Sequence, residues 1–326
     1  APGRADHRDL WDGKIDENAM KLRSGIDNIE EHHNGWIRLD KLLKKHKKVH
    51  TIAPFEAYYE HFGFYANPAR GALLSALGKH RQLEIIDIRK TVAILRQIKQ
   101  APELEAIQSA IDITTESLNV VKNKLRGYGN EKEIEAELTA EFIRRGARGH
   151  AYQPIIAGGR NAATIHYIDN NHPLGNDDLL LLDVGAEVSN YSADITRTYA
   201  LKNPSKRQAQ VYVAVMNVRE QALDMLKPGL NMKAYEQQVD AVMTKELKKL
   251  KLLNDASDKK KLKKYYPHLT SHFLGLVTHD AADYERPLEP GMVLTVEAGI
   301  YIADENIGIR IEDDVLITES GVKNLS

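Results

Sequence analysis

Apolar residues recur at helical spacing in three long segments of the chain. These segments read APELEAIQSAIDITTESLNVV from residue 101, EKEIEAELTAEFIRRGA from residue 131 and VYVAVMNVREQALDMLKPG from residue 211. Pro102 stands where the first turn of a helix tolerates proline, and glycines close the second and third segments. The spacing and the end signals together predict three amphipathic helices.

Two further stretches are rich in β-forming residues and contain a turn signal. The first, DLLLLDVGAEVSNYSADITRTYAL from residue 178, is broken by the polar pair Ser189 and Asn190. The second, VLTVEAGIYIADENIGIRIEDDVLIT from residue 293, is broken by ADEN at residues 303–306. Each stretch is therefore predicted to form a β-hairpin, and the mixture of helices and hairpins predicts an α+β fold.

The two predicted hairpins bring acidic side chains face to face. In the first hairpin, Asp183 comes approximately opposite Asp194, within the displacement of a bulge or a diagonal pair. In the second, Glu297 and Glu312 lie equally far from the turn and are predicted to pair directly. Strand alternation puts Arg310 on the same face as Glu312.

The negative charge of these paired carboxylates has to be neutralised. Like charges directly opposite in a sheet repel, and a carboxylate in an apolar strand must be protonated, paired or bound to a metal. One such pair could be an accident at an exposed edge, but two need more positive charge than Arg310 supplies. Two divalent metals about 3.5–4 Å apart, bridged by carboxylates, would meet that need. The hairpins therefore predict a dinuclear metal centre.

Three histidines fall within the short segment HLTSHFLGLVTHD, upstream of the second hairpin. They are His268, His272 and His279. The spacing of the first two is that of the zinc-protease helix motif, but Leu269 stands where that motif requires a glutamate base. The segment is rich in β-forming residues, so strand and loop are predicted instead. His166, close to the glycines of IIAGGRN, is a further candidate.

The organisation of the chain changes near residue 88. Residues 1–87 combine a polar helix around ENAMKLRSG, a short strand HTIAP and an aromatic-rich stretch, FEAYYEHFGFYANPARG. They are predicted to form a mixed α/β domain, whereas residues 88–326 contain the amphipathic helices and the hairpins.

Composition narrows the classes of function. The formal net charge is −1, and the lysine runs are predicted to be solvated surfaces, so a nucleic-acid partner is not expected. The apolar runs are shorter than the ~20 residues of a membrane span, and the start shows no secretion signal. The absence of cysteine excludes disulfides, thiolate zinc sites and a cysteine nucleophile, and it fits a reducing compartment. We therefore expect a cytoplasmic protein without a membrane partner.

Five motifs, in this order along the chain, resemble those of the pita-bread metallopeptidases and, among them, aminopeptidase P. They are LLDVGAE with Asp183, YSADITRTY with Asp194, HLTSHFLGLVTHD with His272, LTVEAGIYI with Glu297 and GIRIEDDVLIT with Glu312. The resemblance runs from about residue 88 to the C-terminal end and is looser before it. It implies a pita-bread catalytic domain, with two pseudo-symmetric halves around a curved antiparallel sheet, preceded by a partial N-terminal α/β domain.

The resemblance also implies a role for each matching residue. Asp183 would chelate one metal. Asp194 and Glu312 would bridge both metals, and His272 and Glu297 would complete the shell of the second. Glu297 would also assist as general base. The other matches are expected in substrate binding, proton handling and support of the ligands: His166, His268, His279 and Arg310.

The implied activity is hydrolysis of the bond between an N-terminal residue and a following proline. The oxygen-rich ligand set favours manganese, with cobalt or zinc as alternatives. A prolidase-like Xaa-Pro dipeptidase and a non-catalytic pita-bread protein that binds peptides or partner proteins stay open. Ser271 before the ligand histidine is closer to aminopeptidase P, while Leu269 and Thr278 depart from the family pattern and leave specificity open. Peptides with proline in second position are the expected partners, and the resemblance implies a homo-oligomer, a dimer or tetramer.

Overall fold

The computed structural model describes residues 11, 13, 16–30, 32–53, 67–175 and 178–326. These residues form helices and mostly antiparallel strands, which confirms the α+β prediction. Contacts divide the chain into two units, residues 1–91 and 92–326. The domain boundary after residue 87 stays a prediction. None of the described helices is long and apolar enough to cross a lipid bilayer.

The described part of the first unit has a parallel pair of strands and short helices. The helices are α1 (Glu17–Ser24), α2 (His32–Leu43) and α3 (Pro68–Gly78), and the paired strands are β1 (Lys48–Thr51) and β2 (Glu84–Asp87). Leu43, Ala53 and Leu77 form a small buried cluster. The predicted polar helix is present as α1, and β1 overlaps the predicted strand HTIAP only at His50 and Thr51. Most of the predicted aromatic-rich stretch lies outside the described residues.

The helices predicted from apolar spacing are present in the second unit, which also contains others. In chain order the helices are α4 (Arg89–Gln97), which spans the unit boundary, α5 (Ala101–Lys124), α6 (Glu131–Arg144), α7 (Lys206–Met225), α8 (Met232–Lys249) and α9 (Lys259–Tyr265). Pro102 lies in the first turn of α5, as predicted. Helix α7 starts before the predicted segment because Ser205 and Gln208 form a capping box at its N-terminus.

The first half of this unit contains two small sheets. Its strands are β3 (Gly149–His150), β4 (Ile155–Gly158), β5 (Leu179–Val184), β6 (Ala186–Val188), β7 (Tyr191–Ser192) and β8 (Ile195–Ala200). One sheet has the order β4-β5-β8 and the other β3-β6-β7. The predicted first hairpin is therefore shared between two sheets.

The tip of this hairpin has the backbone geometry of a tight two-residue turn. Ser189 and Asn190 both have positive φ angles, 51° and 68°, and Val188 pairs with Tyr191 around them. Positive φ at both central residues matches the right-handed twist of the flanking strands. The polar break predicted in the sequence is thus the turn itself.

Gly185 and Ala193 mark the point where the hairpin changes sheet. A Cβ on Gly185 would lie 1.8 Å from the carbonyl oxygen of Ala193, so only glycine allows this close approach. As a result Asp183 pairs with Thr196, and Asp194 lies just before β8. The two aspartates are therefore diagonal neighbours and not direct partners, within the range that the sequence allowed.

The second hairpin has the predicted register. It consists of β9 (Val293–Ile302) and β10 (Ile307–Thr318), with β11 (Gly321–Asn324) added at the edge of β10. The turn is a short 3₁₀ helix, Ala303–Glu305, followed by a residue with left-handed backbone. Glu297 pairs directly with Glu312, as the symmetric closure predicted.

Each half of the unit has its own core, and the two halves meet at β8 and β10. Helices α5 and α6 contribute to the core that includes β5 and β8, and α7 and α8 to the core that includes β9 and β10. Side-chain bonds join the two strands: Thr198 Oγ1 donates to the Arg310 carbonyl at 2.9 Å, and Arg197 Nη1 donates to the Glu312 carbonyl at 2.5 Å. The acidic residues of both hairpins therefore face the same junction.

Candidate active site

One cavity of about 440 Å³ is lined by every residue that the sequence analysis selected for the site. These are the carboxylates Asp183, Asp194, Glu297 and Glu312, the imidazoles His166, His268, His272 and His279, and the guanidinium of Arg310. Other lining residues include Tyr152, Ile155, Ile165, Ile168 and Thr278. The fold thus brings together selected residues that are up to 146 positions apart, from His166 to Glu312.

The two aspartates share one hydroxyl group. Tyr152 Oη lies 2.5 Å from Asp183 Oδ1 and 2.7 Å from Asp194 Oδ1. A phenol carries a single proton, so it can donate to only one of the two carboxylates at a time. Burial raises the pKa of Asp183 more than the neighbouring Arg310 lowers it. The pair is therefore short of positive charge.

The two glutamates meet in the register of the second hairpin. Thr196 Oγ1 donates to Glu312 Oε2 at 2.6 Å, and Glu312 is 2% exposed. Burial, with the charges of Asp194 and Glu297, raises the pKa of Glu312 well above its usual range. Burial also raises the pKa of Glu297 to about 8. Both shifts report a negative charge that this environment disfavours.

His272 joins the two pairs of carboxylates. Its Nε2 lies 3.4 Å from Asp194 Oδ2 and 3.7 Å from Glu297 Oε1. Burial alone would lower the pKa of His272, but its hydrogen bond with Asp194 and the nearby charges raise it. Ligand atoms of Asp194, His272 and Glu312 lie within 4.8 Å of one another, a spacing that could hold a metal ion.

Arg310 supplies positive charge on one side of the cluster. Its Nη2 donates to Asp183 Oδ2, its Nη1 to the Tyr301 hydroxyl at 2.7 Å, and its Nε to Thr196 Oγ1 at 3.1 Å. This fully engaged guanidinium can balance one carboxylate. Four carboxylates around one cavity still leave an excess of negative charge, which divalent cations would remove. The donor set therefore fits the metal ions that the sequence predicts.

His268 is a buried, uncharged imidazole beside the carboxylates. Its Nε2 lies 2.8 Å from the Tyr301 hydroxyl and its Nδ1 2.7 Å from the Leu269 carbonyl. Burial lowers the pKa of His268 to about 4. The imidazole is therefore uncharged near neutral pH, with the N–H at Nδ1 donated to the Leu269 carbonyl and Nε2 left to accept from Tyr301 or from a substrate.

His279 and His166 lie on the more open side of the cavity. The ring of His279 packs edge to face on the ring of His272, with centroids 4.3 Å apart. Both His166 and His279 are solvent-exposed, unlike the buried Asp183, Asp194 and Glu312. The histidine segment contains no helix and is loop, as predicted in part, but the predicted strand is reduced to a single bridge from Phe273 to Leu294 of β9.

Tyr152, Thr196 and Tyr301 contact the cluster, although the sequence analysis did not select them. Strand alternation could have indicated two of them, because Tyr301 shares a strand face with Glu297 and Thr196 lies two residues after Asp194. Tyr152 follows the short strand β3 in a segment without a periodic pattern. No local signal marks it, since its role depends on the packing of a distant hairpin.

A scan against protein families matches residues 105–319 to metallopeptidase family M24. The Xaa-Pro aminopeptidase of Haemophilus influenzae is 36% identical over 260 residues, which are 74% of this chain and 60% of that protein. Xaa-Pro aminopeptidase 3 of Rattus norvegicus is 31% identical and matches 100% of this chain and 66% of its own length. The chain thus spans less than two thirds of the length of these curated relatives.

Solved structures of aminopeptidases are also similar to this chain. The low-pH form of aminopeptidase P from Escherichia coli has a TM-score of 0.84 and 31% identity, with 99% of this chain and 77% of that chain covered. Aminopeptidase PepP of Pseudomonas aeruginosa also has a TM-score of 0.84, at 29% identity, with the same coverage. The pita-bread fold predicted from the sequence is confirmed by these neighbours. The chain belongs to metallopeptidase family M24.

Proposed function

We propose that this protein is a two-metal aminopeptidase that removes an N-terminal residue when proline follows it. The observation that carries the proposal is the convergence of four carboxylates and His272 on one cavity, with burial opposing their negative charge. The names of the relatives supply the substrate class, peptides with proline in second position.

The proposed ligands are those that the sequence predicted: Asp183, Asp194, His272, Glu297 and Glu312. Asp194 and Glu312 would be shared by both ions, as the family resemblance implies, and one ligand atom of each lies within 4.8 Å of a ligand atom of His272. Carboxylate oxygens dominate the set, so we expect manganese, with cobalt or zinc as alternatives. When bound, such ions supply Lewis acidity to the scissile carbonyl and to water.

The side chains around the ligands would handle protons and the substrate. Glu297 lies 3.4 Å from His268 Nδ1 and, as the general base, would accept a proton from the attacking water. The neutral His268 donates from Nδ1 to the Leu269 carbonyl, so its Nε2 would accept a hydrogen bond from Tyr301 or from a substrate N–H. His166 and His279 would contact the peptide from the open side. Arg310 would favour the ionised form of Asp183 and fix its orientation.

Paired measurements of metal content and peptide cleavage test this proposal. We expect protein loaded with manganese to cleave an Xaa-Pro-Ala tripeptide, to lose this activity on chelation and to regain it on manganese addition. An N-acetylated tripeptide should resist cleavage because the free amine is needed for recognition. Activity that survives complete metal removal, or equal cleavage of the acetylated peptide, would contradict the proposal.

A comparison of substrates separates the proposed function from its nearest alternative. An aminopeptidase should cleave the tripeptide better than an Xaa-Pro dipeptide, whereas a prolidase-like dipeptidase should show the opposite preference. A non-catalytic binding protein should bind both peptides and cleave neither. The cytoplasmic location and the homo-oligomeric state stay predictions, and light scattering on purified protein would test the second.

A further inference from the structure

Glu131, a buried carboxylate to which the proposed chemistry assigns no role, accepts four hydrogen bonds behind the cavity. It is the first residue of α6 and is 0% exposed. Its Oε1 accepts from the backbone N–H of Gly158 at 2.8 Å and from Asn161 Nδ2 at 2.9 Å. Its Oε2 accepts from the Tyr167 hydroxyl at 2.7 Å and from the backbone N–H of His172 at 2.9 Å. A carboxylate has about four lone-pair positions, so Glu131 is fully satisfied.

These contacts are suited to an ionised carboxylate. All four partners donate to it, and the N-terminal end of a helix favours negative charge. A glutamine at this position has one acceptor oxygen, and its amide nitrogen would face a backbone N–H in either orientation, since each carboxylate oxygen accepts from one. Replacement by the near-isosteric amide would therefore break at least one of the backbone contacts without changing the size of the side chain.

The donors to Glu131 all belong to residues 158–172, a segment that we call the His166 loop. Along this loop Ile165, His166 and Ile168 line the active-site cavity. Tyr167, between them, is buried on the opposite side with its hydroxyl on Glu131. His166 itself is exposed, so the tether at its neighbour decides where its backbone lies.

A second contact with α6 anchors the end of the His166 loop. The Asn170 side chain accepts from the backbone N–H of Ile156 at 2.9 Å and donates to the Pro154 carbonyl at 2.9 Å and to Glu135 Oε2 at 3.1 Å. Glu131 and Glu135, one helical turn apart, thus both hold the loop. Of the two, Glu131 makes the contact nearest to His166.

We infer that Glu131 is a positioning residue, which fixes the His166 loop on α6 and so presents His166 to the peptide substrate. The inference rests on the proposed function, in which His166 contacts the peptide. It extends that function from the residues that line the cavity to a residue outside it. Glu131 would reach the substrate only through this loop, and the part of its effect that depends on His166 makes the inference testable.

Steady-state kinetics of four variants with an Xaa-Pro-Ala tripeptide provide the test. We expect E131Q to lower kcat/KM about tenfold to a hundredfold, mainly through KM, because His166 is displaced from its substrate position. Y167F removes one of the four contacts and should have a smaller effect in the same direction. E135Q is the matched control, because its amide oxygen can still accept from Asn170, and it should stay within about twofold of wild type. Bound metal should be unchanged in all three.

The fourth variant, H166A, separates positioning from a general loss of stability. In the H166A background E131Q and Y167F should lower kcat/KM by a smaller factor than in wild type, because the polar side chain that they displace is already absent and only Ile165 and Ile168 of the loop still line the cavity. Losses of equal size with and without His166 would overturn the inference, and so would wild-type kinetics of both variants. If E131Q does not fold, the effects of Y167F in wild type and in the H166A background are compared instead, with the same criterion.

A readout without turnover distinguishes failure of this inference from failure of the proposed function. The ring carbon and proton resonances of His166, assigned by their loss in H166A, should shift in Y167F and E131Q and stay in place in E135Q. If wild-type protein does not cleave the peptide, the proposed function fails and these shifts still decide the positioning. Unshifted resonances in both Y167F and E131Q would overturn the inference.

Discussion

Asp194 contacts other residues of the site through both its carboxylate and its backbone N–H. Its Oδ1 and Asp183 Oδ1 share the single hydroxyl proton of Tyr152. Its Oδ2 lies 3.4 Å from His272 Nε2. Its backbone N–H donates to Asp314 Oδ2 at 3.0 Å, which fixes the chain just before β8. A change at the carboxylate alone leaves that backbone anchor intact, so the effect of its charge can be measured separately.

We predict opposite effects of D194N on the metal-free and the manganese-loaded protein. Without metal, the amide relieves repulsion with Asp183, so the free energy of unfolding should stay the same or rise. With manganese, an amide cannot bridge two ions, so metal affinity, turnover and the metal-dependent rise in Tm should fall together. Thermal unfolding with and without manganese, beside metal analysis, measures both effects.

The exposed Asp304 provides the control for this prediction. It pairs with Lys264 on the surface, and D304N should change stability by less than about 0.5 kcal/mol and leave turnover normal. If D194N behaved like D304N, with full metal content and normal cleavage, Asp194 would not be a bridging ligand.

For H279A we expect the metal to be retained while kcat/KM falls at least about tenfold. The imidazole packs on His272 but is not among the proposed ligands, and its neighbour is firmly held. Asp280 is buried in an ion pair with Lys99, whose Nζ lies 3.3 Å from Asp280 Oδ2, and also contacts Arg96. The loop should therefore keep its place without the histidine ring. Loss of bound metal in H279A would mean that His279 is a ligand.

At the level of elements, the break between β5 and β6 sets the position of both aspartates. We predict that G185A destabilises the fold by about 1–3 kcal/mol, because the added methyl group overlaps the Ala193 carbonyl. G127A is the matched control, since a Cβ there meets nothing within 4 Å, and it should be neutral or slightly stabilising. Urea unfolding of the three proteins gives the comparison, and equal midpoints would show that the strand break tolerates a side chain.

Much of the site could be predicted because strand pairing is a local property of this sequence. Equal distances from the ADEN turn gave the Glu297–Glu312 pair directly. The Asp183–Asp194 offset could not be derived, because the register changes at Gly185, where the packing of Ala193 decides the backbone path. Tyr152 and Glu131 were not found, since each acts through side-chain contacts with residues more than 25 positions away. Local periodicity carries no information about such contacts.

At the level of the whole molecule, the raised carboxylate pKa values make stability depend on pH. The pKa of Glu297 is 4.5 in an ordinary environment and about 8 in the metal-free fold. Between these values the folded state binds more protons than the unfolded chain, so the free energy of unfolding should fall as pH rises. We expect the Tm of metal-free protein to decrease from pH 5 to pH 8, and the decrease to be smaller in E297Q.

Bound manganese should remove or reverse this trend, because the metal selects the deprotonated carboxylates and binds more tightly as pH rises. Tm measured across pH with chelator and with manganese tests both directions. An equal change of Tm from pH 5 to pH 8 in metal-free wild type and metal-free E297Q would contradict the assignment of Glu297.

The proposed metal ions would connect the two sides of the β8–β10 junction in a chain that has no cysteine for disulfides. Asp183 and Asp194 come from one side of this junction, and the other three proposed ligands come from the opposite side. Ions held by both sides would act as a reversible crosslink that closes long segments of chain, in the manner of a disulfide. Loss of the ions would then free the two sides to separate transiently, and proteases should gain access at the junction before the helices on either side unfold.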